Sequence, residues 1–188
     1  MSAPDRALRA DARRSRDAIV AAASELFAQR GSEVQMDEIA ERAGVGMGTL
    51  YRHFATKQAL LAAIVGLRFA AMTEQARAAE EVDDPGASFR ELLLGYLEAA
   101  ARDAAFRYAI LGPEKKEWAG IADQKARFAD IARRIIRRAV DAGHVRSDLT
   151  FTDFVLITRG AMANMNPDDD DWRRHLTLVF EGIGAGER

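Results

Sequence analysis

The feature that most constrains this chain is the stretch 35–54, in which two short helical patterns flank a glycine. Four apolar residues of the first pattern keep the three- and four-residue spacing of one helix face, namely Met36, Ile39, Ala40 and Ala43. Gly44 follows and permits the left-handed backbone of a tight turn. Leu50 and Phe54 are four residues apart and predict a second short helix. Two short helices joined by a turn of three or four residues form a helix-turn-helix.

Helical spacing of apolar residues continues along the rest of the chain, and no alternating strand pattern interrupts it. The predicted helix starts carry capping residues, namely Thr56 and the capping boxes Ser88-x-x-Glu91 and Thr150-x-x-Asp153. The predicted ends carry glycine or proline, namely Gly31, Asp83-Asp84-Pro85-Gly86, Gly112-Pro113, Gly143 and Asn166-Pro167. The helix that follows Thr56 is long and is expected to reach about Glu81. The predicted fold class is all-α, with about nine helices.

The amino-acid composition excludes several classes of protein. The chain has 188 residues and no cysteine, which rules out a disulfide scaffold, a thiolate zinc site and a cysteine nucleophile. Its three histidines are far apart in the sequence, and none has a second histidine or a cysteine three or four residues away, so we expect no metal and no cofactor. No apolar run matches a membrane span, and the N-terminus lacks the apolar core of a secretory signal. We therefore expect a cytoplasmic protein without a membrane partner.

Charge is unevenly distributed along a chain whose formal net charge is only −2. Residues 1–16 carry five arginines against two aspartates, a local balance of +3, and are predicted to form a basic arm ahead of the first helix. Such an arm can follow phosphates because bound Arg and Lys release counterions. A frayed, soluble terminus is the alternative. Through Lys57 the balance is only +1, so DNA affinity would require a few well-placed contacts and a dimer.

The outward residues of the second short helix are suited to DNA. With its apolar residues facing inward, the outer face holds Met47, Gly48, Thr49, Tyr51, Arg52 and His53. Hydroxyl and ring N–H groups can bind phosphate, while Met47 can contact a thymine methyl and Arg52 a guanine. Lys57 lies in the first turn of the next helix, where the helix dipole also favours phosphate. An αα-corner in a helical enzyme or adaptor is the alternative for this stretch.

Two strings of residues carry a resemblance to a known family. Residues 44–54 read GVGMGTLYRHF, and residues 56–61 read TKQALL. Further matches are Ala21-Ala22, Leu26-Phe27 and Arg30-Gly31 in the first helix and Asp37-Glu38-Ile39-Ala40 in the second. Over about residues 13–65, the sequence thus resembles the TetR family of bacterial transcriptional regulators.

The resemblance implies a set of DNA-binding residues. They are Gln35, Met36, Gly46, Met47, Gly48, Thr49, Tyr51, Arg52, His53 and Lys57. Among them, Thr49, Tyr51, His53 and Lys57 match phosphate-contacting positions, Met47 and Gly48 lie near base edges, and Gln35 and Met36 match backbone-contacting positions. Two departures are that Gly46 stands where Ser is common and that Gln35-Met36 stands where Thr or Ser often begins the helix. A backbone N–H would then have to replace one side-chain phosphate contact.

The resemblance also implies two domains. Residues 1–56 would form the arm and the DNA-binding domain, and residues 57–188 a helical domain for effector binding and dimerisation. Candidate ligand-binding residues are Phe106, Tyr108, Trp118, Arg159, Met162 and Asn164. For any of the aromatic residues, ordinary core packing is the alternative. Candidate dimer-interface residues on the last two helices are Phe151, Phe154, Val155, Thr158, Leu176, Val179, Phe180 and Ile183.

The implied function is that of a ligand-responsive transcriptional regulator. A homodimer would repress by binding a palindromic, double-stranded operator and would be released by a small-molecule effector. The alternative is an all-α enzyme or a helical interaction protein that does not bind DNA. The sequence shows no paired carboxylates, Ser/His arrangement or metal-ligand spacing that would supply a catalytic site.

Overall fold

Nine α-helices and one 3-10 turn make up the part of the chain that the structure describes. The computed structural model describes residues 3–111, 121–166 and 171–184. The helices are α1 (Ala3–Arg30), α2 (Met36–Arg42), α3 (Met47–His53), α4 (Lys57–Glu80), α5 (Pro85–Ala101), α6 (Ala104–Leu111), α7 (Ala122–Asp141), α8 (Phe151–Ala163) and α9 (Asp171–Ile183), and the 3-10 turn is Gly31–Glu33. Within these ranges the single β-type pairing is an isolated bridge between Val145 and Gly184. The predicted all-α fold class is confirmed.

The helix-turn-helix predicted over residues 35–54 consists of α2, α3 and the turn between them. Gly44 has a φ of 65°, and its N–H donates to the Glu41 carbonyl at 3.1 Å. Ile39 of α2 and Leu50 of α3 are fully buried, and Phe54 closes the same small core. The apolar spacing therefore orients both helices, because these side chains pack against α1.

The first helix begins earlier than the sequence indicated. α1 starts at Ala3, so most of the predicted basic arm belongs to the helix itself. Alanine and arginine are strong helix formers, and Pro4 stands in the first turn, where a missing N–H breaks no helical hydrogen bond. Farther along α1, the guanidinium of Arg16 lies 5.2 Å from the ring centroid of Phe54. The arginine-rich segment is thus attached to the helix-turn-helix.

Two of the three predicted helix starts are confirmed by capping hydrogen bonds, while the predicted break at Gly112-Pro113 and Pro167 of the break at Asn166-Pro167 lie outside the described residues. Thr56 caps α4 by accepting from the Ala59 N–H at 3.0 Å. At the start of α8, the Thr150 N–H donates to Asp153 Oδ2 at 2.8 Å, as in the predicted capping box. Gly143, directly after α7, has a φ of 73°.

The predicted capping box at Ser88 is wrong. α5 begins at Pro85, and the Asp84 side chain caps it by accepting from the Ala87 N–H at 2.7 Å. Ser88 is buried one turn inside the helix, where its hydroxyl donates to the Ala79 carbonyl at 2.7 Å. An aspartate cap followed by proline at the first helical position is the stronger start signal.

Helix α4 is the central element and packs against α1, α5, α6 and α7. By length and composition alone, α4 could cross a membrane, which differs from the expectation that no apolar segment is long enough. However, 56% of its most apolar 18-residue segment is buried in the fold. Such burial is that of a core helix. At Gly66 a Cβ would lie 2.9 Å from Ile121 Cγ2, so this glycine serves the close packing of α4 on the start of α7.

Candidate DNA-binding interface and ligand cavity

Helix α3 presents a polar and partly apolar face to solvent while its other face is anchored. Tyr51 is 48% exposed and Met47 is 38% exposed, and the backbone of Gly48 lies open beside them. Leu50, on the opposite face, is completely buried. The helix is therefore fixed to the core and leaves the predicted base-reading positions accessible.

Three further predicted DNA-binding residues of α3 differ in their surroundings. Arg52 is exposed, and one of its Nη atoms lies 3.4 Å from the hydroxyl of Thr49, which is a long hydrogen bond. His53 is half-buried, and its Nε2 is enclosed without a hydrogen-bond partner among the described residues. Because this nitrogen is enclosed, a phosphate contact by His53 would have to use its other ring nitrogen.

Lys57 connects the start of α4 to the start of α2. Its Nζ donates to the Val34 carbonyl at 2.6 Å and lies 5.4 Å from the ring centroid of Phe27. The lysine thus holds the segment before α2 in place, in addition to the phosphate contact that the resemblance implies.

The N-terminus of α2 is closed by a side chain that the sequence reasoning missed. The Gln35 N–H donates to Glu38 Oε2 at 2.8 Å, and Glu38 pairs with Arg30 at 2.8 Å. These hydrogen bonds hold the pKa of Glu38 below its ordinary value. A glutamate three residues after the cap was the available signal. Because the Gln35 N–H is engaged, another backbone N–H of α2 would have to replace the missing hydroxyl.

A cavity of about 420 Å³ lies between the helices of the C-terminal part. Its wall combines residues from α4, α5, α6, α7 and α8, namely Phe69, Tyr96, Ile110, Lys125, Ala126, Phe128, Ala129, Arg133, Phe151, Phe154, Val155, Thr158 and Arg159. Most of these side chains are apolar or aromatic, and the charged ones are cationic. Its size and mostly apolar wall are typical of small-molecule sites.

The ligand-binding prediction identifies one residue of this cavity, Arg159. Phe106 and Met162 are core residues, and the exposed Asn164 donates to the Gly160 carbonyl at 3.0 Å. Tyr108 points away from the cavity and stacks on Phe27 of α1. Trp118 lies outside the described residues. None of the five aromatic wall residues is among the candidate ligand-binding residues, because they come from four helices and their meeting is a property of the tertiary packing.

The residues predicted for the dimer interface differ in how far the single chain leaves them accessible. Phe154, Thr158 and Leu176 are buried within the single chain and are core residues. Phe151, Val179, Phe180 and Ile183 are half-buried. The large apolar residues exposed on α8 and α9 are Val155, Leu156 and Leu178. Val155 is one of the predicted interface residues. Leu156 and Leu178 are not, and they are 63% and 52% exposed.

In the described ranges, acidic and histidine side chains do not form clusters of the kind that binds a metal ion. No group of three or more His, Cys, Asp or Glu residues that could hold a metal is found there.

Both parts of the chain match one family of proteins. Residues 19–64 match the sequence profile of the bacterial regulatory proteins of the tetR family. Residues 84–185 match the profile of the C-terminal domain of SbtR-like transcriptional regulators.

Individual relatives agree with these profiles. An HTH-type transcriptional regulator of Staphylococcus aureus is 46% identical over 54 residues, which are 28% of this chain and 29% of that protein. The chain therefore matches less than a third of the length of this curated relative.

Solved structures extend the similarity to nearly the whole chain. A TetR transcription regulatory protein of Mycobacterium vanbaalenii is 30% identical, with a TM-score of 0.62 over 94% of this chain and 99% of that one. A ketosteroid transcriptional regulator of Mycobacterium tuberculosis has the same fold at 19% identity, with a TM-score of 0.69 over 90% and 94% of the two chains. The TetR family consists of DNA-binding transcriptional regulators rather than enzymes. This chain belongs to the TetR family of transcriptional regulators.

Proposed function

We propose that the protein is a cytoplasmic homodimeric repressor that leaves its operator when a small molecule binds in the cavity. Residues 1–56 form the DNA-binding domain, and residues 57–188 bind the effector and the second subunit. The observation that carries this proposal is α3, whose Met47, Gly48 and Tyr51 are accessible while Leu50 is fixed in the core. A helix anchored in this way can enter a major groove without rearrangement.

On DNA, α3 supplies two kinds of contact. The hydroxyl groups of Tyr51 and Thr49 donate hydrogen bonds to phosphates, and these contacts set the register of α3 on the DNA. Met47 and Arg52 reach base edges, and the absence of a side chain at Gly48 allows the backbone to approach the groove. The remaining proposed contacts are His53 at the end of α3 and four residues of the neighbouring segments, namely Gln35, Met36, Gly46 and Lys57.

The exposed apolar residues of α8 and α9 support dimerisation. Leu156 and Val155 are neighbours on α8, and Leu178 is exposed on the adjacent α9. A second copy of the chain would cover them in an isologous contact, in which each subunit offers the same surface. The two α3 helices then meet a palindromic operator one helical turn apart.

Two contacts connect the cavity to the DNA-binding domain. Ile110 of α6 lines the cavity, and Tyr108 on the same helix stacks on Phe27 of α1. Phe69, in the middle of α4, also lines the cavity. At the N-terminus of the same helix, Lys57 donates a hydrogen bond to the Val34 carbonyl. An effector that binds more tightly when α4 and α6 are displaced would move α3 relative to α3 of the second subunit. The effector shifts this equilibrium only as far as it binds the two arrangements differently.

Selection from random DNA duplexes by the purified protein tests the DNA-binding function. We expect a palindromic sequence to be enriched, and Tyr51→Ala to weaken binding to it by about tenfold or more. Arg77→Ala, which removes an exposed arginine of α4 that is paired with Glu74, is the control and should bind normally. The proposal is wrong if no sequence is enriched at moderate salt and Tyr51→Ala leaves the residual affinity unchanged.

A further inference from the structure

Among the described residues, the wall of the cavity contains cations and no acidic residue. Lys125 and Arg133 of α7 and Arg159 of α8 contribute the charges. Arg133 pairs with Asp130 at 2.9 Å, and its guanidinium lies 4.9 Å from the ring centroid of Phe151. Within the described ranges, Lys125 and Arg159 have no carboxylate at salt-bridge distance. The cavity wall therefore carries positive charge that the surrounding described residues do not neutralise.

Tyr96 adds a buried hydrogen-bonding group to the same cavity. This residue of α5 is only 8% exposed and lies among aromatic rings, with Phe128 and Phe154 each 5.5 Å away between centroids. No hydrogen bond of its hydroxyl is found among the residues described, and this oxygen is not among the fully enclosed, unpaired side-chain atoms. Burial raises the pKa of Tyr96, and the positive charge of Arg159, which lines the same cavity, opposes that rise. The phenol remains protonated at neutral pH and can donate.

The remaining wall suits an apolar body. Thr158, the other hydroxyl-bearing residue of the cavity, already donates to the Phe154 carbonyl at 2.9 Å. Ring faces and the methyl groups of Ile110, Ala126 and Ala129 make up most of the rest. At the packing density of protein interiors, 420 Å³ holds about 20 non-hydrogen atoms.

We propose that the effector is a small amphipathic monocarboxylate. Its carboxylate lies between Arg159 and Lys125 and accepts a hydrogen bond from the Tyr96 hydroxyl, while its aromatic or aliphatic body contacts Phe69 and Phe128. A guanidinium bound to a carboxylate forms a strong, charge-assisted hydrogen bond, and a cationic ligand would be repelled by the same wall. This assignment of ligand class deepens the proposed function and depends on the cavity being the effector site.

Pairs of probes that differ only in the head group test the ligand class. We would measure binding to the full-length protein by calorimetry for 4-phenylbutyrate, decanoate and 1-naphthaleneacetate, and for the primary amide of each. At least one carboxylate should bind about tenfold or more tightly than its amide. Arg159→Gln should remove most of this preference, and Tyr96→Phe should reduce it severalfold.

Arg137→Gln is the matched control, because Arg137 is an exposed arginine of α7 outside the cavity wall. This variant should keep the full preference for the carboxylate. Circular dichroism and thermal unfolding of each variant establish that it is folded, and Arg159→Lys, which keeps the charge, should retain part of the preference. The ligand class is wrong if amides bind as well as carboxylates, if no carboxylate binds, or if the preference survives in Arg159→Gln.

Operator binding measured beside ligand binding separates this inference from the proposed function. Release of operator DNA by a carboxylate supports both. A carboxylate that binds through Arg159 without releasing DNA supports the ligand class and contradicts the sensing function. Release of DNA by neutral compounds alone contradicts the ligand class and leaves the sensing function standing.

Discussion

The ring of Tyr108 on α6 stacks on the ring of Phe27 on α1, with 6.2 Å between centroids and 18° between planes. A Cβ at Gly31 would lie 3.4 Å from the Tyr108 ring, so the tyrosine also fits against the end of α1. Ile110, two residues farther along α6, lines the ligand cavity. Helix α6 therefore contacts α1 through Tyr108 and contributes Ile110 to the cavity wall.

Removing the Tyr108 ring should uncouple the two sites. In Tyr108→Leu we expect the effector to bind within about threefold of its normal affinity, while its effect on operator affinity falls by about fivefold or more. Operator affinity with and without a releasing ligand is the measurement. Tyr108→Phe keeps the stacked ring and should behave as the wild type. If the effector releases Tyr108→Leu from operator DNA as fully as it releases the wild type, the coupling between the two sites depends on α4 alone.

Charge on the apolar face of α8 and α9 should break the dimer. Leu156→Asp and Leu178→Asp each place a carboxylate where a second copy would bury leucine, and an unpaired buried charge is strongly unfavourable. Light scattering after size-exclusion chromatography should show monomers for both variants. Leu67→Asp is the control, because Leu67 is 54% exposed but lies on α4. Dimers in both α8 and α9 variants would place the interface elsewhere.

The two roles of Lys57 can be separated by salt dependence. If its ammonium binds a phosphate, Lys57→Gln should reduce the slope of log affinity against log salt concentration by about 1. The lost hydrogen bond to the Val34 carbonyl should lower the midpoint of thermal unfolding as well. Lys125→Gln, which removes a lysine far along the chain in α7, should leave the slope unchanged. A lower unfolding midpoint with an unchanged slope would assign Lys57 a structural role only.

A methyl group at Gly66 should disturb the contact between α4 and α7. The added Cβ would lie 2.9 Å from Ile121 Cγ2, and Ile121 is itself buried. Gly66→Ala gains about 1 kcal/mol of helix propensity, so the observed change is this gain less the cost of the clash. We expect net destabilisation in urea unfolding, and a smaller cost of Gly66→Ala when it is measured in an Ile121→Ala background, which lacks Cγ2. Gly95→Ala is the control, because a Cβ there meets nothing within 4 Å. Stabilisation of both variants to the same extent would contradict the close packing.

Local sequence signals predicted the DNA-binding part well because its structure is determined locally. Gly44 adopts the positive φ that its turn requires, and Leu50 occupies the core position that its spacing indicates. Thr56 forms the predicted cap. Each of these features depends on residues within one or two helical turns, so the spacing of residue types is sufficient.

The ligand cavity and the apolar surface were predicted poorly because they depend on how distant helices meet. Phe106 and Tyr96 are both aromatic residues on amphipathic helices, yet Tyr96 lines the cavity and Phe106 packs behind it, with 6.2 Å between ring centroids. Leu176 and Leu178 on α9 differ in the same way, since one is buried and the other exposed. Residue type alone does not separate these pairs.

The pair of Glu80 on α4 and Arg134 on α7 should make stability depend on pH. Two hydrogen bonds of 2.6 and 2.9 Å join the side chains, and they hold the pKa of Glu80 below its ordinary value of 4.5, although partial burial opposes this shift. Because the folded pKa is lowered, the stabilisation is present above pH 4.5 and is lost as the pH falls through the folded pKa. Glu80→Gln should lose about 1 kcal/mol at pH 7 and show a shallower fall in stability below pH 4.5 than the wild type. Glu74→Gln, which removes a more exposed glutamate of α4, should follow the wild-type pH profile in urea unfolding. Equal profiles for Glu80→Gln and the wild type would show that the pair does not stabilise the fold.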